Sequence, residues 1–133
     1  MPGDLFRNEG GRFRNIGVSS GTAYSAEGLV QGGMGVDFAD LDAGGLPDLF
    51  VATFTHEPKS LYHNEGRGQF TEVSQLQGIG SEALPRVAFG VKFADFDNDG
   101  YLDLLMVNGH VVDTAGRVYA DAQIGRASCR ERV

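Results

Sequence analysis

Apolar positions in this chain fall into short runs, and none holds a helical period long enough to predict a helix. Leu102, Leu104, Leu105, Met106 and Val107 form a nearly unbroken apolar stretch, and Leu49, Phe50, Val51 and Ala52 form another. Runs of this kind predict strands covered on both faces. The alternating Val91-Lys92-Phe93-Ala94 predicts a further strand. Leu61 and Tyr62, followed by Phe70 and Val73 across Gly66-Arg67-Gly68, predict a hairpin whose glycines accept positive φ. Residues 17–34 and 74–89 are rich in Gly and Ser. Structureless loops of that length are uncommon, so each is expected to hold a further short strand or a binding loop.

Between two of these strands lies Asp95-Phe96-Asp97-Asn98-Asp99-Gly100-Tyr101-Leu102-Asp103. Carboxylates at every second position can turn to one point, and Ca²⁺ takes six to eight oxygens at roughly 2.3–2.6 Å. Asp95, Asp97 and Asp99 supply the first candidate ligands, and the turn at Gly100 lets the Tyr101 carbonyl and the Asp103 carboxylate close the sphere. A solvated Asp/Asn/Gly turn is the plainer alternative. An EF-hand does not fit, because Met106 stands where that loop needs a bidentate Glu and the flanks read as strands.

The chain also repeats itself. Gly35-Val36-Asp37-Phe38-Ala39-Asp40-Leu41-Asp42 matches Gly90-Val91-Lys92-Phe93-Ala94-Asp95-Phe96-Asp97, an offset of 55 (90 minus 35), and Asp48-Leu49 then matches Asp103-Leu104. Leu5-Phe6-Arg7-Asn8-Glu9-Gly10 matches Leu61-Tyr62-His63-Asn64-Glu65-Gly66, an offset of 56 (61 minus 5). One unit is thus a strand, a cation loop, a strand, a connection and a hairpin. Four short strands per unit is the content of one β-propeller blade. In the first loop Asp40, Asp42 and Asp48 keep the first, third and ninth places and Leu46 the carbonyl place, but Gly44 replaces the third carboxylate. Fewer carboxylates lower calcium affinity. The first loop is expected to bind more weakly than the second.

These residues resemble the FG-GAP or VCBS repeats of integrin α-subunit propellers and many secreted bacterial proteins. The resemblance covers nearly all of residues 5–113 and is closest to bacterial proteins similar to cartilage acidic protein, often followed by an ASPIC/UnbV domain. It is carried by Leu61 to Asn64 with Gly66, Gly68 to Phe70, Asp95 to Leu104, and Asn108-Gly109-His110-Val111. The resemblance implies an all-β fold, here about two blades of an incomplete calcium-loop β-propeller, outside the cell, in the periplasm or at the cell surface. Further blades of a longer protein are then its partners.

Residues 1–34 are expected to be the end of a preceding blade with its inter-blade loop, 35–89 the first repeat unit, and 90–122 a truncated second unit. Residues 123–133 are expected to be foreign, because Ile124-Gly125-Arg126-Ala127-Ser128-Cys129-Arg130-Glu131-Arg132-Val133 is similar to the in-frame translation of a short-read sequencing adapter. Formal net charge is −7, and −9 without that segment's three arginines and one glutamate. Such acidity disfavours nucleic acid and anionic membranes as partners. The single cysteine, Cys129, lies in the segment expected to be foreign, so it says nothing of disulfides.

No Walker, Cys-x-x-Cys or His-Glu-x-x-His pattern occurs. His63 occupies the place of Arg7 in the other unit, against a shared catalytic role, while His56 and His110 stand alone. Phe38, Phe50, Phe93 and Phe96 are expected to fill blade cores, and Tyr24 and Tyr119 are loop aromatics able to stack on sugars. Two functions remain open: an extracellular scaffold binding protein or carbohydrate, as in adhesion, or the non-catalytic propeller of a secreted calcium-dependent polysaccharide-active enzyme.

Overall fold

The computed structural model describes residues 1–79 and 87–109, and the backbone of residues 126–132. Expectations for His110, Tyr119 and the 123–125 junction lie outside the described residues.

Strands β3 (Gly33–Ala39), β4 (Asp48–Thr53), β5 (Ser60–Gly66) and β6 (Gln69–Glu72) form one antiparallel sheet in chain order. Phe38 pairs with Leu49, Phe50 with Leu61, and Asn64 with Phe70. This is the four-stranded unit that the repeat predicted. A second sheet holds β7 (Val87–Ala94), β8 (Asp103–Gly109) and β9 (Arg126–Arg132), with Phe93 opposite Leu104. Strand β9 thus lies along β8 where the first unit has β5 along β4. The counterparts β3 and β7 share a register shift at equivalent places, between Gly33 and Gly35 and between Ala88 and Gly90. Strands β1 (Phe6–Asn8) and β2 (Phe13–Asn15) form a separate hairpin.

Neither long connection contains an additional strand among the described residues. After β2 the chain makes one helical turn, α1 (Gly17–Ser20), with the Gly17 N–H donating to Asn15 Oδ1 at 3.0 Å. The hydroxyls of Ser19 and Ser20 donate to the Ile16 and Gly17 carbonyls at 3.1 Å each. Side chains that bond their own backbone compete with a strand ladder, so this Ser-rich stretch coils instead of pairing. Residues 74–79 form a turn closed by the Ile79 N–H on the Ser74 carbonyl at 2.8 Å. No helix among the described residues is long and apolar enough to cross a membrane.

The core lies between the two larger sheets. Phe50, Ala52 and Leu61 meet Ala88, Phe93, Leu104 and Met106, with Ile79 alongside. The Phe50 and Phe93 rings stand edge to face at 6.1 Å and 84°, a geometry that adds about 0.5–1.5 kcal/mol to the burial itself. Phe38 and Phe96 depart from the expectation and are 46 % and 47 % exposed. The cause for Phe38 is the period of two: Gly35 on β3 approaches β7, so Met34, Val36 and Phe38 point to the opposite face. Phe96 falls in the loop after β7 and leaves the sheet.

The two units meet closely at β3 and β7. A Cβ on Gly35 would stand 2.3 Å from the Phe89 carbonyl oxygen, so only glycine admits this approach. Next to it, Asp37 Oδ2 accepts the Phe93 N–H at 2.8 Å and lies 2.9 Å from Lys92 Nζ. Burial pushes the Asp37 carboxyl up, but the Phe93 N–H and the Lys92 ammonium outweigh it and hold the group below its ordinary value.

Lys59 is the least expected buried group, at 0 % exposed. Its Nζ donates to the carbonyls of Phe54 at 3.1 Å and Glu57 at 3.2 Å in the turn between β4 and β5. Burial pushes its pKa down to about 8, only partly offset by the Glu57 charge. The unfolded chain therefore binds more protons above that value, and stability rises with pH. Unfolding free energy should gain about 1 kcal/mol from this group between about pH 7 and pH 9. Urea denaturation across that range should show the gain in the wild type and lose it in Lys59→Met. An equal slope in both proteins would remove Lys59 as its source.

Candidate metal centre

Both cation loops are β-hairpin connections, from β3 to β4 and from β7 to β8, and in each the first Asp organises the turn. In the second loop Asp95 Oδ1 accepts the Asp99 N–H at 3.1 Å and Oδ2 accepts the Gly100 N–H at 2.9 Å. Asp99 Oδ1 accepts the Tyr101 N–H at 3.0 Å, and Asp103 Oδ2 accepts the Phe96 N–H at 3.1 Å. Asn98 and Gly100 take positive φ, 57° and 90°. Residue types that tolerate the left-handed region therefore stand where the backbone demands it.

This folding brings one oxygen from each of Asp95, Asp97 and Asp99 within 4.8 Å of the others. Ligands at roughly 2.3–2.6 Å from one ion lie at most about 5 Å apart, so the three carboxylates fit a single calcium ion. A carboxylate oxygen has more than one acceptor site, so the backbone N–H groups on Asp95 and Asp99 do not use up their capacity. The Tyr101 side chain is exposed, leaving its main chain as its contribution to the loop. Asp103, in contrast, is buried at the base of the loop and lies outside the converging trio.

The first loop has the same backbone and a smaller donor set. Asp40 accepts the Gly44 N–H at 3.0 Å and the Gly45 N–H at 2.9 Å, and Asp42 accepts the Gly44 N–H at 2.8 Å. Asp48 is buried, accepts the Asn64 N–H at 2.8 Å, and lies 3.0 Å from His63 Nδ1. Leu46 is exposed. Among the described residues, Asp95, Asp97 and Asp99 are the one group of three such side chains that converges.

Two features escaped the sequence reading. Asn64 ties the hairpin to the loop: its Nδ2 donates to the Pro47 carbonyl at 2.8 Å, and its Oδ1 accepts the Gly66 N–H at 3.0 Å. The signal was there, since Asn8 and Asn64 occupy the same place in the repeat and Asn8 Oδ1 likewise accepts a turn N–H, that of Gly11, at 2.8 Å. The second is Ala43, held at φ 58° where its counterpart is Asn98. Left-handed backbone costs an alanine about 1 kcal/mol. Ala43→Gly should stabilise the fold by about 0.5–1 kcal/mol in chemical denaturation, and a destabilised variant would contradict the shared loop geometry.

No curated protein is significantly similar to the chain. A family-level comparison matches the FG-GAP-like repeat over residues 40–106, which runs from the first cation loop through the second and into β8. That match covers half of the chain and contains both Asp-rich loops and strands β4 to β7 between them, so this protein belongs to the FG-GAP-like repeat family.

Proposed function

We propose that the chain is a calcium-binding β-propeller repeat segment of an extracellular or surface interaction protein, whose blade-end loops bind protein or carbohydrate. The convergence of Asp95, Asp97 and Asp99 carries this reading. Three carboxylates this close repel one another in a loop that has no basic side chain of its own, and a divalent cation reverses that repulsion. Asp95, Asp97, Asp99, the Tyr101 carbonyl and Asp103 would hold the stronger ion, with Asp40, Asp42, Asp48 and the Leu46 carbonyl at the weaker position. Since each loop joins the first two strands of a unit, its order fixes the ends of those strands and the loops beside them. Millimolar extracellular calcium suits sites of this type. The likeness to cartilage-acidic-protein-like repeats supports the same surface setting and further blades beyond these units.

A screen of immobilised glycans and extracellular proteins, run in calcium and in chelator, tests the reading. Capture in calcium that disappears in chelator and in Asp97→Ala supports it. Capture that is indifferent to both would separate binding from the loops.

A further inference from the structure

Two dipeptides in this chain carry the chemistry for a backbone rearrangement, Asp99-Gly100 and Asn108-Gly109. In each, the glycine nitrogen can attack the side-chain carbonyl carbon of the residue before it, because a glycine has no Cβ to crowd the five-membered ring that forms. Asparagine is intrinsically the faster, since its amide leaves as ammonia more readily than a carboxyl group loses water. The fold reverses that order. Asn108 is buried in β8, where it pairs with Ala88 on β7 and Arg126 on β9, and Gly109 pairs with Val87. An extended strand holds each side chain out from the sheet, away from the nitrogen that follows. Ring closure at Asn108 therefore requires the ladder to open.

Asp99-Gly100 lies instead in an exposed turn. Gly100 takes φ 90°, and a Cβ there would meet nothing within 4 Å, so nothing packs on this side of the loop. Asp99 Oδ1 accepts the Tyr101 N–H at 3.0 Å, which turns the side chain forward along the chain and polarises its Cγ. The Gly100 N–H donates to Asp95 Oδ2 at 2.9 Å, a carboxylate placed to draw off the proton of an attacking nitrogen. Nucleophile, polarised carbon and base thus stand together within one turn.

We propose that Asp99-Gly100 is a site of isoaspartate formation in the folded protein, and that a cation in the loop shuts it. The bond from Gly100 N to Asp99 Cγ forms and one Cγ–O bond breaks. The departing oxygen leaves as water, with the Gly100 amide proton passed through Asp95 and one further proton from solvent. Water then opens the imide at the former Asp99 backbone carbonyl, so the chain runs on through Cγ and the old backbone carbon becomes the free carboxylate. The net change is an isomerisation without change of mass. It adds an atom to the backbone and shortens the carboxylate arm, which draws the Asp99 oxygen away from those of Asp95 and Asp97. Protection by a cation rests on the calcium reading above, because an ion held by Asp95 and Asp99 occupies the base and fixes the carboxylate under attack. The isomerisation itself does not rest on it.

Prolonged incubation of the full chain at neutral pH in chelator, in calcium, and in chelator with guanidinium tests this. Isoaspartyl methyltransferase labelling and peptide mapping by electron-transfer fragmentation locate the products. In chelator the folded chain should accumulate isoaspartate at Asp99 while Asn108 stays intact. In guanidinium the order should invert, with Asn108 deamidating several-fold faster than Asp99 isomerises. Calcium should slow the Asp99 reaction several-fold. Asp99→Glu keeps a carboxylate but needs a larger ring, and Gly100→Ala crowds the ring, so each should lose the product at residue 99; an intact Asn108 in the same map reports that the variant is folded. No isoaspartate at Asp99 in the folded chain, Asn108 reacting ahead of it there, or the same order with and without guanidinium would overturn the proposal. Equal rates in calcium and chelator, with calcium shown by calorimetry to be bound, would overturn the protection. Equal rates with no calcium bound would instead remove the calcium reading and leave the isomerisation supported.

Discussion

Gly35→Ala is expected to destabilise the protein by about 3 kcal/mol, near the upper end of single-residue effects. The added methyl would stand 2.3 Å from the Phe89 carbonyl oxygen, 3.1 Å from the Phe89 carbonyl carbon and 3.1 Å from Val91 Cγ2. Two of these obstacles are backbone, so no rotamer change relieves them. Relief requires β3 and β7 to separate, which draws Asp37 away from the Phe93 N–H and loosens the Phe50–Phe93 contact. Thermal unfolding should fall by on the order of 10 °C. Gly90→Ala is the internal control, since its methyl meets only Val107 in ordinary contact. Equal losses in the two variants would show that general strand propensity and not the approach of the units is at work.

Asp95→Ala should have the second largest effect, because one carboxylate does two jobs. It accepts the Asp99 and Gly100 N–H groups, and it is one of the three converging oxygens. Losing the backbone acceptor costs about 1–2 kcal/mol whether or not metal is present. Losing the ion removes a further 1–2 kcal/mol or so when calcium is about tenfold above its dissociation constant. Melting in calcium should thus drop more than melting in chelator. Asp97→Ala, whose carboxylate belongs to the trio, should likewise lose more stability in calcium than in chelator. If Asp95→Ala loses the same stability in both conditions, the loop is a capped turn and not a metal site.

Much of this architecture was legible because propeller units are written in spacing. The offsets of 55 and 56 set β3 against β7 and β1 against β5, and the alternating Asp pattern placed both loops between strands. Contacts between units were less legible. Gly35 reads as an ordinary strand start until β7 is laid against it, and Phe38 reads as core until the exposed face of β3 is known. Asp48 shows the same limit within a unit: its place in the loop is clear from sequence, but its engagement by Asn64 and His63 depends on β5 folding back beside it. The turn at Gly17–Ser20 was hidden because hydroxyls bonding local carbonyls leave no apolar period to detect.

Calorimetric titration of the chain with calcium, alongside Asp97→Ala and Asp42→Ala, decides whether these loops are metal sites. Saturable binding is expected, with a tighter site that disappears in Asp97→Ala and persists in Asp42→Ala. A wild type that takes up no calcium, or a greater loss from Asp42→Ala than from Asp97→Ala, would contradict it.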